Sequence, residues 1–300
     1  MLVLFVSLAN CETATAQEFS YPIAIAAVEG DGWEETTLYV VDLEMPGVWQ
    51  VETSEKRVFA QGSKTFKTPL NRPRCIAIHP AGGILVGDTS TREIYHVKTL
   101  GDPPKPLTNG KVGIPMSLAV SPDGDTLYVA DAERGALVRL PLEGGEPEWF
   151  ARVNARSIAF DESGNLIALT PNDEAILRID PSKPVVDGPA RVAENPAIDT
   201  VLGERTFQYP VSIAISRERY LICDSYAGHV WGIDVSPRSS GDDAVEDAAA
   251  VKPLIWHDSK DLERPVGIAA AKTAIWVVDA ASKQVLALDP NSGELLGTRK

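Results

Sequence analysis

One short phrase recurs along this chain: proline, a variable residue, a small residue, isoleucine or leucine, then alanine. It stands as PIAIA, PRCIA, PMSLA, PVSIA and PVGIA, and once as ARSIA with alanine in place of proline. The copies begin near residues 22, 73, 115, 155, 210 and 265. Each is followed by a second apolar run (LYVVD, ILVGD, LYVAD, LIALT, LICD, IWVVD) and a third (VWQVE, IYHVK, LVRLP, ILRID, VWGID, VLALD). A repeat of about 40–50 residues that carries four short strands is the mark of propeller blades. Six copies predict an all-β chain, a six-bladed β-propeller of four-stranded antiparallel blades.

The third copy shows the local chemistry. Residues 116–120 form an apolar run bounded by Pro115 and by Ser-Pro-Asp-Gly, a strand followed by a tight turn. Pro122 pre-sets φ for that turn and Gly124 takes the positive-φ position. Residues 126–130 are β-branched and aromatic, as strands favour. Gly135 leads into a third strand, and Gly144 and Gly145 turn into a fourth carrying Trp149 and Phe150.

Packing explains the small residues. The second position after each phrase start is Ala24, Cys75, Ser117, Ser157, Ser212 or Gly267, and the position two further on is always alanine. Inner strands crowd around the axis, so one face of each must let the neighbouring blade approach. The other face carries Ile or Leu and fills the gap to the opposite neighbour.

These motifs carry a family resemblance. P-x-G-I-A followed by L-Y-V-A-D and a third strand resembles the NHL-repeat propellers. The stretch LYVADAERGALVRLPLEGG is similar to the YWTD propellers and to the gluconolactonase/senescence-marker propellers. The resemblance covers residues 21–298 and implies the fold; these families share blades and differ in chemistry.

Residues 1–16 read as a signal peptide: an apolar run over 2–9, shorter than the ~20 residues that span a bilayer, then Ala14-Thr15-Ala16 as a cleavage site. No basic residues precede the run, which fits a translation start further upstream. A lipoprotein box ending at Cys11 is the weaker reading, since Asn10 stands where a small residue is usual. Residues 17–300 then form the propeller, exported to a periplasmic or secreted location and without a membrane span. Two cysteines stay in it, Cys75 in blade 2 and Cys223 in blade 5. Opposite blades cannot bring Cα atoms within the ~7 Å that a disulfide needs, so two free, buried, unreactive thiols are expected.

The formal net charge is −14. Nucleic acid needs clustered Lys and Arg and is not expected as a partner. Acid concentrates at 29–35 and 242–247; residues 236–250, polar and without aromatics, read as a disordered loop between third and fourth strands. Asp102-Pro-Pro-Lys-Pro blunts the outer edge of blade 2. Blade 4 departs most from the repeat: it lacks the leading proline, its second strand ends in Thr170-Pro171, and residues 182–208 follow as the longest excursion. Each blade looks complete within its repeat, so the ring should close by packing of blade faces.

An Asp ends five of the second strands (Asp42, Asp88, Asp131, Asp224, Asp279). Spread around the disc, these residues are expected to accept hydrogen bonds from the following loop, not to hold a metal.

Chemistry in such a fold belongs at the mouth of the channel, where the inner strands start and the loops joining second to third strands gather. The residues after each phrase start (Ile23, Arg74, Met116, Arg156, Val211, Val266) should line it, with Asn71, Arg72, Asn154, Gln208, Glu263 and Arg264 beside them. Metal catalysis would need His, Asp or Glu there. His79, His96, His229 and His257 fall at unrelated strand positions and are not expected to converge. The gluconolactonase resemblance implies metal ligands at about Ser20, Arg156 and Val211, and none is a matching residue, though Glu18 and Asn154 stand two positions away. Neither a poised Ser-His-Asp set nor a phosphate-binding Gly-rich loop is present.

What the mouth holds is arginine. Arg72, Arg74, Asn154, Arg156 and Arg264 form a candidate anion site, suited to a carboxylate, sulfate or uronate. The competing reading has these arginines pair with Glu263, Glu18 or loop acids and hold blades together.

Two functional expectations follow. The first is a non-enzymatic module, with no cofactor, that binds a protein, peptide or glycan on the face carrying Thr89, Thr91, Arg92, Glu133, Arg134, Asn172, Ser225, Tyr226 and Lys283. The alternative is a metal-dependent lactonase or hydrolase that needs a divalent ion such as Ca²⁺.

Overall fold

A computed structural model of the chain describes residues 18–171, 175–183, 195–203, 206–235 and 252–300. The leader, Cys11, Asn172 and the loop over 236–250 lie outside the described residues. Blade 1 is β1 (Pro22–Val28), β2 (Thr37–Asp42), β3 (Gly47–Val51) and β4 (Lys56–Gln61). Blade 2 is β5 (Pro73–Ile78), β6 (Ile84–Asp88), β7 (Glu93–Val97) and β8 (Lys105–Pro106). Blade 3 is β9 (Pro115–Val120), β10 (Thr126–Asp131), β11 (Ala136–Pro141) and β12 (Glu148–Ala151). Blade 4 is β13 (Ser157–Phe160), β14 (Leu166–Leu169), β15 (Ile176–Ile179) and β16 (Ile198–Leu202). Blade 5 is β17 (Pro210–Ser216), β18 (Arg219–Asp224), β19 (His229–Asp234) and β20 (Leu254–His257). Blade 6 is β21 (Pro265–Ala270), β22 (Ile275–Asp279), β23 (Gln284–Leu288) and β24 (Leu295–Arg299).

Strand order within every sheet follows the chain, and inner strands touch in a closed ring from β1 through β5, β9, β13, β17 and β21 back to β1. This is the six-bladed propeller that the repeat predicts. Blade 4 opens its first strand at Ser157, two residues after the start of its phrase at Ala155. Its long excursion contains its outer strand, β16. Among the described residues no helix is long and apolar enough to cross a membrane.

Side chains between blades do what the phrase demands. Leu118 packs into the cluster shared by blades 2 and 3, whereas Ala119 belongs to the one shared by blades 3 and 4. Ile25 and Ala26 divide in the same way between blade 6 and blade 2. Each buried Ile or Leu contributes about 1.5–3 kcal/mol by leaving water. The small residues add a polar contact: Ser117 Oγ accepts from Ile158 N at 3.1 Å, and Ser157 Oγ from Ile213 N at 3.1 Å. At Gly267 an added Cβ would stand 3.1 Å from Ala24 Cα.

The terminal aspartates do more than expected. Each of the five is buried and accepts from loop amides after it, as Asp279 does from Ala281 N at 2.9 Å and Ser282 N at 2.8 Å. Each also reaches back to the two amides that precede an inner-strand proline. Asp42 takes Ser20 and Tyr21, Asp88 takes Asn71 and Arg72, and Asp131 takes Gly113 and Ile114, all at 2.6–3.2 Å. Asp224 takes Gln208 and Tyr209, and Asp279 takes Glu263 and Arg264, at 2.6–2.8 Å. One carboxylate thus clamps the start of the first strand to the end of the second.

Ring closure by blade faces is borne out. Arg299 of β24 crosses to blade 1, where its guanidinium donates to the carbonyls of Trp33, Glu34, Thr36 and Val51 at 2.7–3.2 Å. It also lies over the Trp276 ring, 4.5 Å from the centroid. Outer strand β8 is two residues long, and its exit is held by the buried Glu93 carboxylate, which accepts from the amides of Leu107, Thr108 and Gly110.

Cys75 and Cys223 are free and buried, and burial pushes both thiols up, that of Cys75 to about 12. In a Cys11→Ser background, neither should react with Ellman's reagent in the native protein, and both should react once it is unfolded. Rapid labelling of native protein would contradict this packing. Asp279→Ala leaves four amides without an acceptor and should cost about 3 kcal/mol or more. Asp279→Asn should recover little, since its NH₂ would face two donors. The midpoint of urea unfolding checks both.

Candidate functional site

The residue after each inner-strand proline is turned inward by a bulge. Pairing of β1 with β2 skips Ile23, β5 with β6 skips Arg74, and β9 with β10 skips Met116. Val211 and Val266 are skipped in the same way in blades 5 and 6. A bulged residue leaves the ladder and its side chain is re-aimed; here it is aimed at the axis. Blade 4 has no such bulge. Its Arg156 N donates to Leu169 O at 2.8 Å, just ahead of β13, which brings the side chain to the equivalent place.

All six of these positions line a cavity of about 450 Å³ in the mouth of the channel. Arg264 joins them, with Tyr21, Tyr209, Ser225 and Tyr226. Of the arginines expected here, Arg74, Arg156 and Arg264 therefore share one cavity. Arg72 is exposed and does not line it, although Tyr21, Tyr209 and Arg264, each held by an aspartate clamp at the same place before a proline, do. Asn154 stands apart too, in a smaller cavity of about 230 Å³ that it shares with Arg74 and Arg156.

The chemistry of the lining is one-sided. Among the described residues three guanidinium groups face the cavity, and no Asp, Glu or His does. Among the described residues none of Arg72, Arg74, Arg156 and Arg264 forms an ion pair, so the expected alternative of pairing with Glu18 or Glu263 is not what the geometry shows. Two acids of the loops that join second to third strands are engaged elsewhere. Glu44 pairs with Lys64, Glu133 with Arg92, and the terminal aspartates are closed over by amides. Arg156 has the most support: it lies over the Tyr209 ring at 4.1 Å, and its Nη1 donates to Pro210 O at 3.4 Å. Tyr209 in turn stacks on Tyr226, centroids 4.6 Å apart and planes 17° off parallel.

Tyr209 was not among the expected site residues. It precedes Pro210 as Arg264 precedes Pro265, so the register alone could have pointed to it. Two expectations about the loops need correction. Ser225 is buried, 7% exposed, because its amide donates to Tyr209 O at 3.0 Å and folds it under the rim. The histidines do not all stand apart: His79 and His96 stack at 4.2 Å in blade 2, since the turn after β5 folds back on β7. Burial, and then the neighbouring imidazole, holds His79 below its ordinary pKa. Neither ring lines the channel cavity.

The residues present do not fit the metal site that the gluconolactonase resemblance implies. Arg156 and Val211 offer no ligand atom at two of its three places. Among the described residues no three His, Cys, Asp or Glu side chains gather as a metal would require.

No protein-family model and no curated protein sequence matches the chain. Solved structures match it in shape. A chain of a nidogen/laminin complex has a TM-score of 0.62 at 14% identity, over 87% of this chain and 89% of that one. PQQ-bound aldose sugar dehydrogenase from Streptomyces coelicolor has 0.60 at 16% identity, over 89% and 91%. Virginiamycin B lyase from Staphylococcus aureus has 0.58 at 13%, over 95% and 85%. At such identities the likeness establishes the fold and carries no activity with it.

Unpaired arginines that repel one another do not hold blades together. Arg74→Met and Arg264→Met should each leave the unfolding free energy within about 0.5 kcal/mol of the parent or raise it. A loss beyond about 1 kcal/mol in urea titrations would assign them a structural role instead.

Proposed function

We propose that this protein is an exported binding module whose channel mouth holds an anionic group of its ligand. The observation that carries the reading is the one-sided lining: Arg74, Arg156 and Arg264 face one cavity that no carboxylate among the described residues lines, in a chain of net charge −14. A guanidinium kept from an internal partner is available for a carboxylate or sulfate, which it can hold through two parallel hydrogen bonds. The leader-like segment at residues 1–16 supports export. The ligand belongs to the protein, peptide or glycan classes that reach a propeller's loop face, and it brings its own negative charge.

Calorimetric titration with sulfate and with galacturonate tests this. The parent should bind both, more weakly as salt rises. Arg74→Ala with Arg156→Ala should weaken binding at least about tenfold, since a hydrogen bond to a charged group contributes about 1.5–3 kcal/mol. Unchanged affinity would remove the anion site. Dialysis against Ca²⁺ separates the metal-hydrolase alternative, which requires one tightly held ion per chain together with lactone hydrolysis.

A further inference from the structure

The channel mouth does not end at its rim. Arg156 and Tyr209 line the central cavity, and the same two residues line both smaller cavities beside it. One of these, of about 230 Å³, reaches Asn154, Ala132 and Pro171; the other, of about 160 Å³, runs past Thr170, Ala175 and Gln208. Both lie at blade 4, the blade that lacks the leading proline and the terminal aspartate. The ring of clamps is interrupted there, and a groove leads outward from the channel across the gap. At the junction stands a stack of three planar groups, Arg156 on Tyr209 on Tyr226, whose last member is 71% exposed.

We infer that the ligand is an acidic oligosaccharide of the uronate class. One pyranose ring lies on the open face of Tyr226 with its carboxylate turned to Arg264, and a following unit of the chain passes the tyrosine stack, presents its carboxylate to Arg156 and continues along the groove past Asn154. This rests on the anion-binding reading above and gives it a substrate class. A sugar acid has what this junction asks for: C–H groups on a flat face for the tyrosine ring, and a carboxylate at its edge for a guanidinium. The central cavity falls within the ~300–1,000 Å³ usual for small-ligand sites, and the groove adds room for a second residue of the chain. A peptide is the less suited occupant. It gains affinity by pairing with free main-chain groups at a sheet edge, and at this rim the amides before each proline are already taken by the aspartates.

The test is calorimetry on the full chain with galacturonate, trigalacturonate, neutral maltotriose and triglutamate. Trigalacturonate should bind at least about tenfold more tightly than the monomer, and maltotriose and triglutamate should bind far more weakly. Tyr226→Ala should weaken trigalacturonate binding about tenfold and sulfate binding by much less, and Tyr226→Phe should retain both. Asn154→Ala should weaken the trimer and not the monomer. Both side chains are exposed, so loss of fold does not confuse the result, and near-UV dichroism verifies it. The inference fails if monomer and trimer bind alike, if triglutamate matches trigalacturonate, or if Tyr226→Ala changes nothing. Should sulfate still bind through the arginines in those cases, the anion site stands and only the ligand class falls. Should no anion bind, both fall.

Discussion

A buried carboxylate that joins two strand ends is the contact on which this propeller turns. Asp42, Asp88, Asp131, Asp224 and Asp279 are each cut off from water and each hold four or more donors. A buried charge is tolerable only when it is bonded in this way. The donors are two amides before a proline and two or more groups from the loop that follows or the strand after it, so the clamp fixes where an inner strand enters its sheet. Proline, which has no N–H, comes next and asks nothing of the ladder. The residue after it is then bulged out and faces the channel. Three features that look separate in the chain, the Asp, the Pro and the variable residue between Pro and the small position, are one device for aiming a side chain at the axis.

Blade 4 shows what happens without that device. Thr170 replaces the aspartate and Ala155 the proline, and the strand joins its sheet only at Ser157. Arg156 is consequently held by other means, its amide on Leu169 O and its guanidinium on Tyr209 and Pro210 O. The clamp of the next blade, Asp224, holds the amide of Tyr209 and with it the platform that Arg156 rests on. Loss of one regular element thus opens the rim, and its neighbour supplies the support.

Much of this was legible in the chain before any coordinates. Blade number, strand order, the six channel-lining positions and the burial of Cys75 and Cys223 follow from a repeat whose small and large residues alternate with period 2. What periodicity cannot carry is contact between residues far apart in sequence. The aspartates' reach back across 15–22 residues, the closure of the ring by Arg299 and the Tyr209–Tyr226 stack all depend on how loops fold. The misplacement of Arg72 has the same root. The bulge after the proline turns Arg74 to the cavity, but the place before the proline has no fixed direction: Tyr21, Tyr209 and Arg264 stand there and line the cavity, and Arg72 does not.

The charge of the whole and the charge of the mouth pull in opposite directions, and distance settles which one a ligand feels. A net charge of −14 repels an anion at long range, but at physiological ionic strength the Debye length is only about 8 Å. Among the described residues, the charges that line the cavity are the three guanidiniums. The aspartates below them are saturated by amide dipoles, and Glu44 and Glu133 are turned to Lys64 and Arg92. Under the proposed function, the acidic surface discourages unspecific contact with other anions, and the mouth would take one that enters far enough to leave that surface behind. The same arrangement favours a slender ligand with its charge carried at the edge of a flat ring over a bulky, evenly charged one, because only the former can bring a carboxylate past the rim to Arg156.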